Sequence, residues 1–217
     1  ALEEGKITHW FAQNLQTTHP RLSPLPIGQA NQQWSHGDSA VLAQVARAYR
    51  DPADKSDWLY ANFKVSEHAP GRAALLTSVL HAFPLTTVAH TQLTYREYLV
   101  ELGAHRFALS PRGNGVDTHR TWESLYLRTI PLVEPSVWAG FFAGLQLTAA
   151  DAGESFDVSR IQGQLPIVMV HDWSLINEQS LNSLWDAVLE EWDAGWDWDL
   201  LSMSKWKSIV QSCGLAS

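Results

Sequence analysis

The stretch that decides the fold is HRFALSPRGNGVDTHRTWESLYLRTIPLV, residues 105–133. Within it RFALSP (106–111) is a short apolar run of strand character, and a Gly-Asn-Gly turn follows. THRTWESLYLRT (118–129) then carries apolar residues at helical spacing, and IPLVE (130–134) is apolar again. A strand, a glycine turn, a helix and a second strand make one crossover unit, and crossovers of this length join parallel strands.

The same alternation extends in both directions. Upstream, WLYANF (58–63) reads as a buried strand, GRAALLTSVLHAF (71–83) as a helix, LTTVAH (85–90) as a strand and TYREYLVELGAH (94–105) as a helix ending at Gly103. Downstream, LPIVMVHDW (165–173) supplies a fifth strand, NEQSLNSLWDAVLEEW a helix behind Asn177, and the tail at 196–212 a closing helix packed by tryptophans. Alternating strands and helices predict an α/β fold, a Rossmann-like parallel sheet flanked by helices.

Before this unit, KITHWFAQN (6–14) has strand character, and a segment rich in Pro and Gly connects it to SAVLAQVARAY (39–49), a helix behind an Asp38 or Ser39 cap. DPADKSD then breaks the pattern. The expected division is residues 1–56 as the end of an N-terminal part plus a linker, and residues 57–217 as the sheet domain with its C-terminal helix.

Composition narrows the function classes. The chain has 217 residues, of which 45% are hydrophobic and 18% charged, as expected of a soluble globular protein. A net charge of −8 gives no basic stripe for nucleic acid, so any phosphate is bound locally. The single cysteine, Cys213, cannot close an intrachain disulfide. No run approaches the roughly 20 apolar residues of a membrane span. The first residues lack the basic and apolar regions of a signal peptide, and the absence of an initial Met leads us to expect a further N-terminal part. A cytoplasmic or membrane-peripheral location fits, and the sequence does not decide between them.

At the central motif, ligands of open parallel sheets bind beyond the carboxyl ends of the strands, where RFALSP meets the glycine turn. The following helix points its N-terminal amides and positive dipole end at the same place, which suits an anion. Arg112 and Arg120 bracket the turn and suit phosphate oxygens; Glu123 suits the hydroxyls of a sugar. Together they describe a nucleoside diphosphate with its ribose. On the residues alone a plainer reading stands beside it: an ordinary turn, an exposed Arg120–Glu123 pair at i,i+3 and a solvated Arg112.

Other residues were weighed in the same way. The nine histidines are scattered without HExxH-like spacing, so no metal site is expected. The Asp-x-Asp of Asp197 and Asp199 reads as an acidic helix start. His119, at the helix start, suits phosphate, and Asp117 suits an N-cap. His171 and Asp172 end the fifth strand, where they either reach a ligand or cap the next turn. Among the tryptophans, Trp122, Trp185 and Trp192 fit the core, whereas Trp34 and Trp173 fit a cleft. No G-x-S-x-G motif supports a serine nucleophile, and Cys213 has no activating base nearby. A dinucleotide oxidoreductase is disfavoured because the glycines neither follow the first strand of the unit nor keep the G-x-G-x-x-G spacing.

FALSPRGNGVDTHRTWESLYLRTIPLV resembles the donor-binding signature of exostosin-like glycosyltransferases: a strand, S-P-x-G-N-G, D-x-H-R-x-W-E, an apolar helix and I-P. WFAQN, HPRLSPLPIG, ANQQWSHGD, WLYANF, LPIVMVHDWSLI and LLSMSKWK are similar to other segments of that family, so the resemblance spans most of the chain. It implies a GT-B enzyme, two Rossmann-like domains across a cleft, of which this chain is the C-terminal, nucleotide-sugar-binding part. It further implies metal-independent, inverting transfer from a UDP- or GDP-linked sugar to a glycan or other hydroxyl acceptor, with no cofactor. Carried over by position, Arg112 and Arg120 hold the diphosphate, Gly113, Asn114 and Gly115 allow its approach, His119 joins them, and Glu123 binds ribose. Asn62, Arg72 and Asp172 face the same cleft, and Asp117 is a weak candidate for the catalytic base. Arg128 stands where the family has a small residue, and suits the end of the helix dipole. Much of the acceptor half is reduced to residues 1–56 or comes from another segment or chain. The alternative is therefore a non-catalytic nucleotide-sugar or carbohydrate-binding subunit.

Overall fold

A computed structural model describes residues 2, 4, 6–65, 69–89, 92–149, 164–192 and 195–215. Six parallel strands form the main sheet in the order β4-β3-β5-β6-β8-β7: β3 (Asp57–Ala61), β4 (Thr87–Val88), β5 (His105–Leu109), β6 (Ile130–Val133), β7 (Ala143–Leu147) and β8 (Leu165–Val170). Among the described residues seven α-helices are interspersed: α1 (Ser39–Ala46), α2 (Gly71–Ala82), α3 (Tyr95–Ala104), α4 (His119–Tyr126), α5 (Val137–Phe142), α6 (Glu178–Glu190) and α7 (Met203–Leu215). The α/β, Rossmann-like parallel sheet is thus present, and the five expected strands are all in it. The second of them is only two residues long, and His90 at its expected far end lies outside the described residues.

The central strands β5, β6 and β8 are buried on both faces, as helices on both sides of a parallel sheet require, whereas the edge strand β4 is not. Alternate residues sort cleanly. Leu59, Phe107, Leu109, Ile130, Leu132, Val168 and Val170 pack with Leu75 and Val79 of α2 and Leu181, Leu184 and Trp185 of α6. On the opposite face, Tyr60 and Ala108 meet Leu42 and Val45 of α1 with Leu99 and Leu102 of α3. Val133, Ile167 and Met169 of that face meet Trp122, Trp138 and Phe142. Trp122 and Trp185 lie in the core as their spacing suggests, and Trp192 packs against it.

The sixth strand, β7, has no sequence signal. VWAGFFAGLQL is one apolar run in which α5 passes into β7 without a turn residue. Gly144 serves space here: a Cβ would run into the Trp196 ring and come within 3.0 Å of the Leu165 carbonyl. A register shift between Ala143 and Leu145 accompanies it.

Residues 10–24 form a separate two-stranded parallel sheet, β1 (Trp10–Ala12) and β2 (Leu22–Pro24). The strand expected at 6–14 shrinks to three residues within it. Asp38 caps α1, its carboxylate accepting from the amides of Ala40 and Val41. Among the described residues no helix is long and apolar enough to cross a membrane.

Two features lie at the edge of the sheet where β3 begins. Lys55 is 3% exposed, and its Nζ donates to the carbonyls of Gly103 (2.7 Å) and Leu127 (2.6 Å) and to Thr129 Oγ1 (3.1 Å). It thereby closes the C-terminal ends of α3 and α4, while burial pushes its pKa down to about 7. Arg128 follows α4 at φ 59, the left-handed conformation. The amide of Arg128 bonds to Leu125 and that of Thr129 to Ser124, the paired closure of a Schellman motif whose left-handed position is usually glycine. The Arg128 guanidinium, expected to suit the end of the helix dipole, stands over an indole: its Cζ is 3.4 Å from the centroid of the Trp198 ring.

Candidate functional site

The order of strands reverses direction at β3. The chain crosses from β3 to β4 on one side, then returns to add β5 on the other. At such a switch point the loops leaving adjacent strands part and open a crevice. Here a cavity of about 990 Å³ lies, lined by Asn62 after β3, by the loop after β5 and by the starts of α2, α3 and α4. That is the upper end of the usual ligand-site range of about 300–1,000 Å³.

The start of α4 forms one wall. Its N-cap, Thr118, makes no side-chain bond to the helix amides. The Thr118 hydroxyl lies instead 3.0 Å from Ser110 Oγ and 3.3 Å from Thr121 Oγ1, and Ser110 Oγ is 2.8 Å from Thr121 Oγ1. This triangle pins the end of β5 to the helix and leaves the helix start uncapped toward the cavity. An uncapped helix start presents free N–H groups and a partial positive charge.

Two guanidiniums face the same space. Arg72, in the first turn of α2, donates to the carbonyls of Arg112 (3.0 Å) and Lys64 (2.9 Å), and Arg120 stands in the first turn of α4. Both lie over the Phe63 ring, their Cζ atoms 5.5 and 5.7 Å from its centroid. Burial first, then the charge of Arg120, lowers the Arg72 pKa. Among the described residues neither guanidinium has a carboxylate in ion-pair range, and Arg120 Nε is buried with no hydrogen-bond partner.

Acceptors line the other side. Glu123, 4% exposed, takes the hydroxyl of Tyr95 on Oε1 (3.2 Å) and that of Tyr98 on Oε2 (2.9 Å). Burial raises its pKa against the pull of those donors and of Arg120. The plainer reading of an exposed Arg120–Glu123 pair therefore fails at Glu123. Asn62 Nδ2 donates to Tyr60 Oη (3.0 Å), which donates to Glu101 (2.7 Å), and Asn62 lines the cavity.

The segment before α1 closes the cavity from across. Ile27 N–H donates to Asp117 Oδ2 (2.7 Å), the Gly28 carbonyl accepts from His119 Nδ1 (2.7 Å), and Gln29 Nε2 reaches Tyr95 Oη at 3.5 Å. Asn14, at φ 52, accepts the Asp117 amide on its side-chain oxygen (2.8 Å). Gly115 makes room for that amide group, since a Cβ there would fall on Asn14. A Cβ on Gly113 would approach Arg72 Nη2 at 3.2 Å. Neither glycine has positive φ, so both serve close approach.

Of the residues singled out from sequence, Asn62, Arg72, Gly113, Asn114 and Gly115 line the cavity, as do Asp117, His119, Arg120 and Glu123. Two stand elsewhere. Arg112 contributes only backbone, its N–H donating to Glu134 and its carbonyl accepting from Arg72, while its side chain is exposed outside the cavity wall. Asp172 is exposed and caps the short turn Trp173–Leu175 through the Ser174 amide; that turn follows β8, two strands from the switch point. His171 beside it is exposed and contacts Gln146.

Asp117 is not the N-cap of α4, a role Thr118 occupies. It is 2% exposed, with Ile27 N–H on one oxygen and Trp122 Nε1–H on the other (2.6 Å). Burial pushes its carboxyl up to about 6. Each oxygen thus already accepts one hydrogen bond, from the strap before α1 and from within α4. Trp34, 56% exposed, stacks on His36 with ring centroids 6.2 Å apart, and His36 lines the cavity. Trp173 packs against the core instead.

Sequence reading missed Tyr95, Tyr98, Asn14 and the residues 27–29. The tyrosines had a signal in their i,i+3 spacing; Ile27 and Gly28 act through backbone groups, and Asn14 and Gln29 through side-chain amides whose partners are far away in sequence. Among the described residues no three His, Cys, Asp or Glu side chains gather as metal ligands. No protein-family model matches the chain, and no curated protein matches it.

Proposed function

We propose that the protein is a glycosyltransferase that takes a sugar from a nucleoside diphosphate carrier, UDP- or GDP-linked, and passes it to a hydroxyl acceptor such as a glycan. One observation carries the reading. Two guanidiniums that have no carboxylate partner among the described residues, Arg72 and Arg120, converge with an uncapped helix start on a cavity at the sheet's switch point. Two half-buried guanidiniums side by side repel each other unless an anion joins them, and a diphosphate is the anion whose size and charge fit two arginines and a helix terminus. Glu123 and the Asn62 carbonyl supply acceptors for the hydroxyls of ribose or sugar.

In this reading the bond between the anomeric carbon and the β-phosphate oxygen breaks as the acceptor hydroxyl adds to that carbon, the hydroxyl's proton passing to water. The electron pair stays on the departing diphosphate. Arg72, Arg120 and the α4 amides stabilise charge where it grows, without a metal ion.

The second reading, a non-catalytic sugar-nucleotide-binding protein, is favoured by one feature. Both carboxylates of the cavity, Asp117 and Glu123, are almost fully buried and already accept a hydrogen bond on each oxygen, an arrangement that suits holding a ligand better than cycling a proton.

Calorimetric titration with UDP and with GDP, in EDTA, tests both. Binding weakened about tenfold or more by Arg120→Ala and by Arg72→Ala supports the donor site. Absence of binding to the folded wild type sinks it. Slow hydrolysis of a UDP- or GDP-sugar by the chain, lost in the same variants, separates the enzyme from the binding protein.

A further inference from the structure

The first residue of α4 has a defined orientation that the donor-site reading leaves unused. His119 Nδ1 lies 2.7 Å from the Gly28 carbonyl, and a carbonyl only accepts, so Nδ1 carries the hydrogen. The lone pair of the neutral ring is then on Nε2, the nitrogen with no hydrogen-bond partner among the described residues, in a half-buried side chain on the cavity wall. Gly28 is at φ +65, yet a Cβ there would meet nothing within 4 Å. Glycine at this position therefore serves the backbone turn that aims the carbonyl at His119.

A diphosphate on Arg72, Arg120 and the α4 amides lies beside the first residue of that helix. Facing the anion, a lone pair on Nε2 repels it, whereas an Nε2–H donates to it. We infer that His119, held through Nδ1 by the Gly28 carbonyl, takes up a proton on Nε2 as the diphosphate binds, so that the site captures its anion together with H⁺. This rests on the donor-site reading above and makes His119 a phosphate-binding residue with Gly28 as its positioning residue.

The charges around the ring set the balance. The Asp117 and Glu123 carboxylates favour the imidazolium. Arg120 beside it, Arg72 from α2 and the α4 terminus oppose it. Tyr95 and Tyr98 of α3 are held neutral, burial raising the pKa of each, and His36 stands across the cavity. To these charges the incoming phosphates add negative charge beside Nε2, which favours the protonated ring.

The test is titration of the whole chain with UDP and GDP at about pH 7.5, above the ordinary imidazole value near 6.5, in two buffers of different ionisation enthalpy. Net proton uptake on binding is expected in the wild type and in His36→Gln. It should vanish in His119→Gln and shrink in Gly28→Ala. Wild-type affinity should fall as pH rises, by at most about tenfold per pH unit, while that of His119→Gln stays flat. Phosphate titration alone gives the opposite sign, release instead of uptake. If His119→Gln does not fold, the ring-proton resonances of His119 in the wild type serve: their titration midpoint must move up when UDP is present. Binding without uptake, or uptake unchanged in His119→Gln, overturns the inference and leaves the donor site standing. No binding at all overturns both.

Discussion

The two ends of the parallel sheet use positive charge in opposite ways. At the end where β3 begins, Lys55 is buried and spends its ammonium on two helix-terminal carbonyls and a threonine hydroxyl. At the end where β3 and β5 finish, Arg72 and Arg120 have aromatic and backbone neighbours but, among the described residues, no carboxylate in ion-pair range. A cation with every donor matched belongs to the fold, and one left short of acceptors marks where something else must bind.

The largest effect that would sharpen this contrast is at the satisfied end. Lys55→Met leaves the Gly103 and Leu127 carbonyls without their donor, and should cost about 3 kcal/mol in denaturant unfolding while UDP affinity stays unchanged. The pH profile carries the sign. With the folded value about 7 against 10.5 when unfolded, the unfolded chain binds more protons between those limits, so wild-type stability relative to Lys55→Met should rise with pH there.

At the open end, Gly115→Ala drives a methyl into Asn14 and should destabilise by about 1–3 kcal/mol. If stability is untouched, the strap of residues from the N-terminal segment is not fixed on the glycine loop. Arg120→Ala should do the reverse of Lys55→Met, changing melting by no more than about 0.5 kcal/mol but affinity about tenfold or more. A large stability loss would mean that Arg120 is structural, and the comparison would break.

Asp117→Asn places an NH₂ against one of two donors and should cost about 1–2 kcal/mol. The Asp117 carboxyl moves from 3.8 unfolded to about 6 folded, so the folded chain holds more protons in between. Its contribution is therefore full below that window and lost as pH rises through it, and the gap between wild type and Asp117→Asn should narrow from about pH 4 to 6. Arg112→Ala should have the smallest effect, less than twofold on UDP affinity, because only the Arg112 backbone meets the site.

The sheet was readable because each strand is a compact apolar run between turn residues, and β7 escaped because α5 enters it with no such boundary. At the site, Arg120, Glu123 and the glycines could be found from one short stretch whose residues stay neighbours in space. Arg112 could not be told from Arg120, since which side of a glycine loop a side chain leaves by depends on Glu134 and Arg72 holding the backbone. The Ile27 amide and the Gly28 carbonyl, about 90 positions away from their partners, are main-chain groups that every sequence possesses. Asp117 looked like a cap because the competing hydroxyl triangle of Ser110, Thr118 and Thr121 spans two elements.

Arg128 ties two distant positions into one choice. Its backbone conformation suits glycine, and its side chain is compensated by the Trp198 ring. Wherever a relative of this chain loses the ring at 198, position 128 has reason to revert to glycine, and a glycine at 128 frees 198 to vary. The pair should therefore drift together through a lineage, and the change at 128 is the one to make first when the tail from Trp198 onward is redesigned.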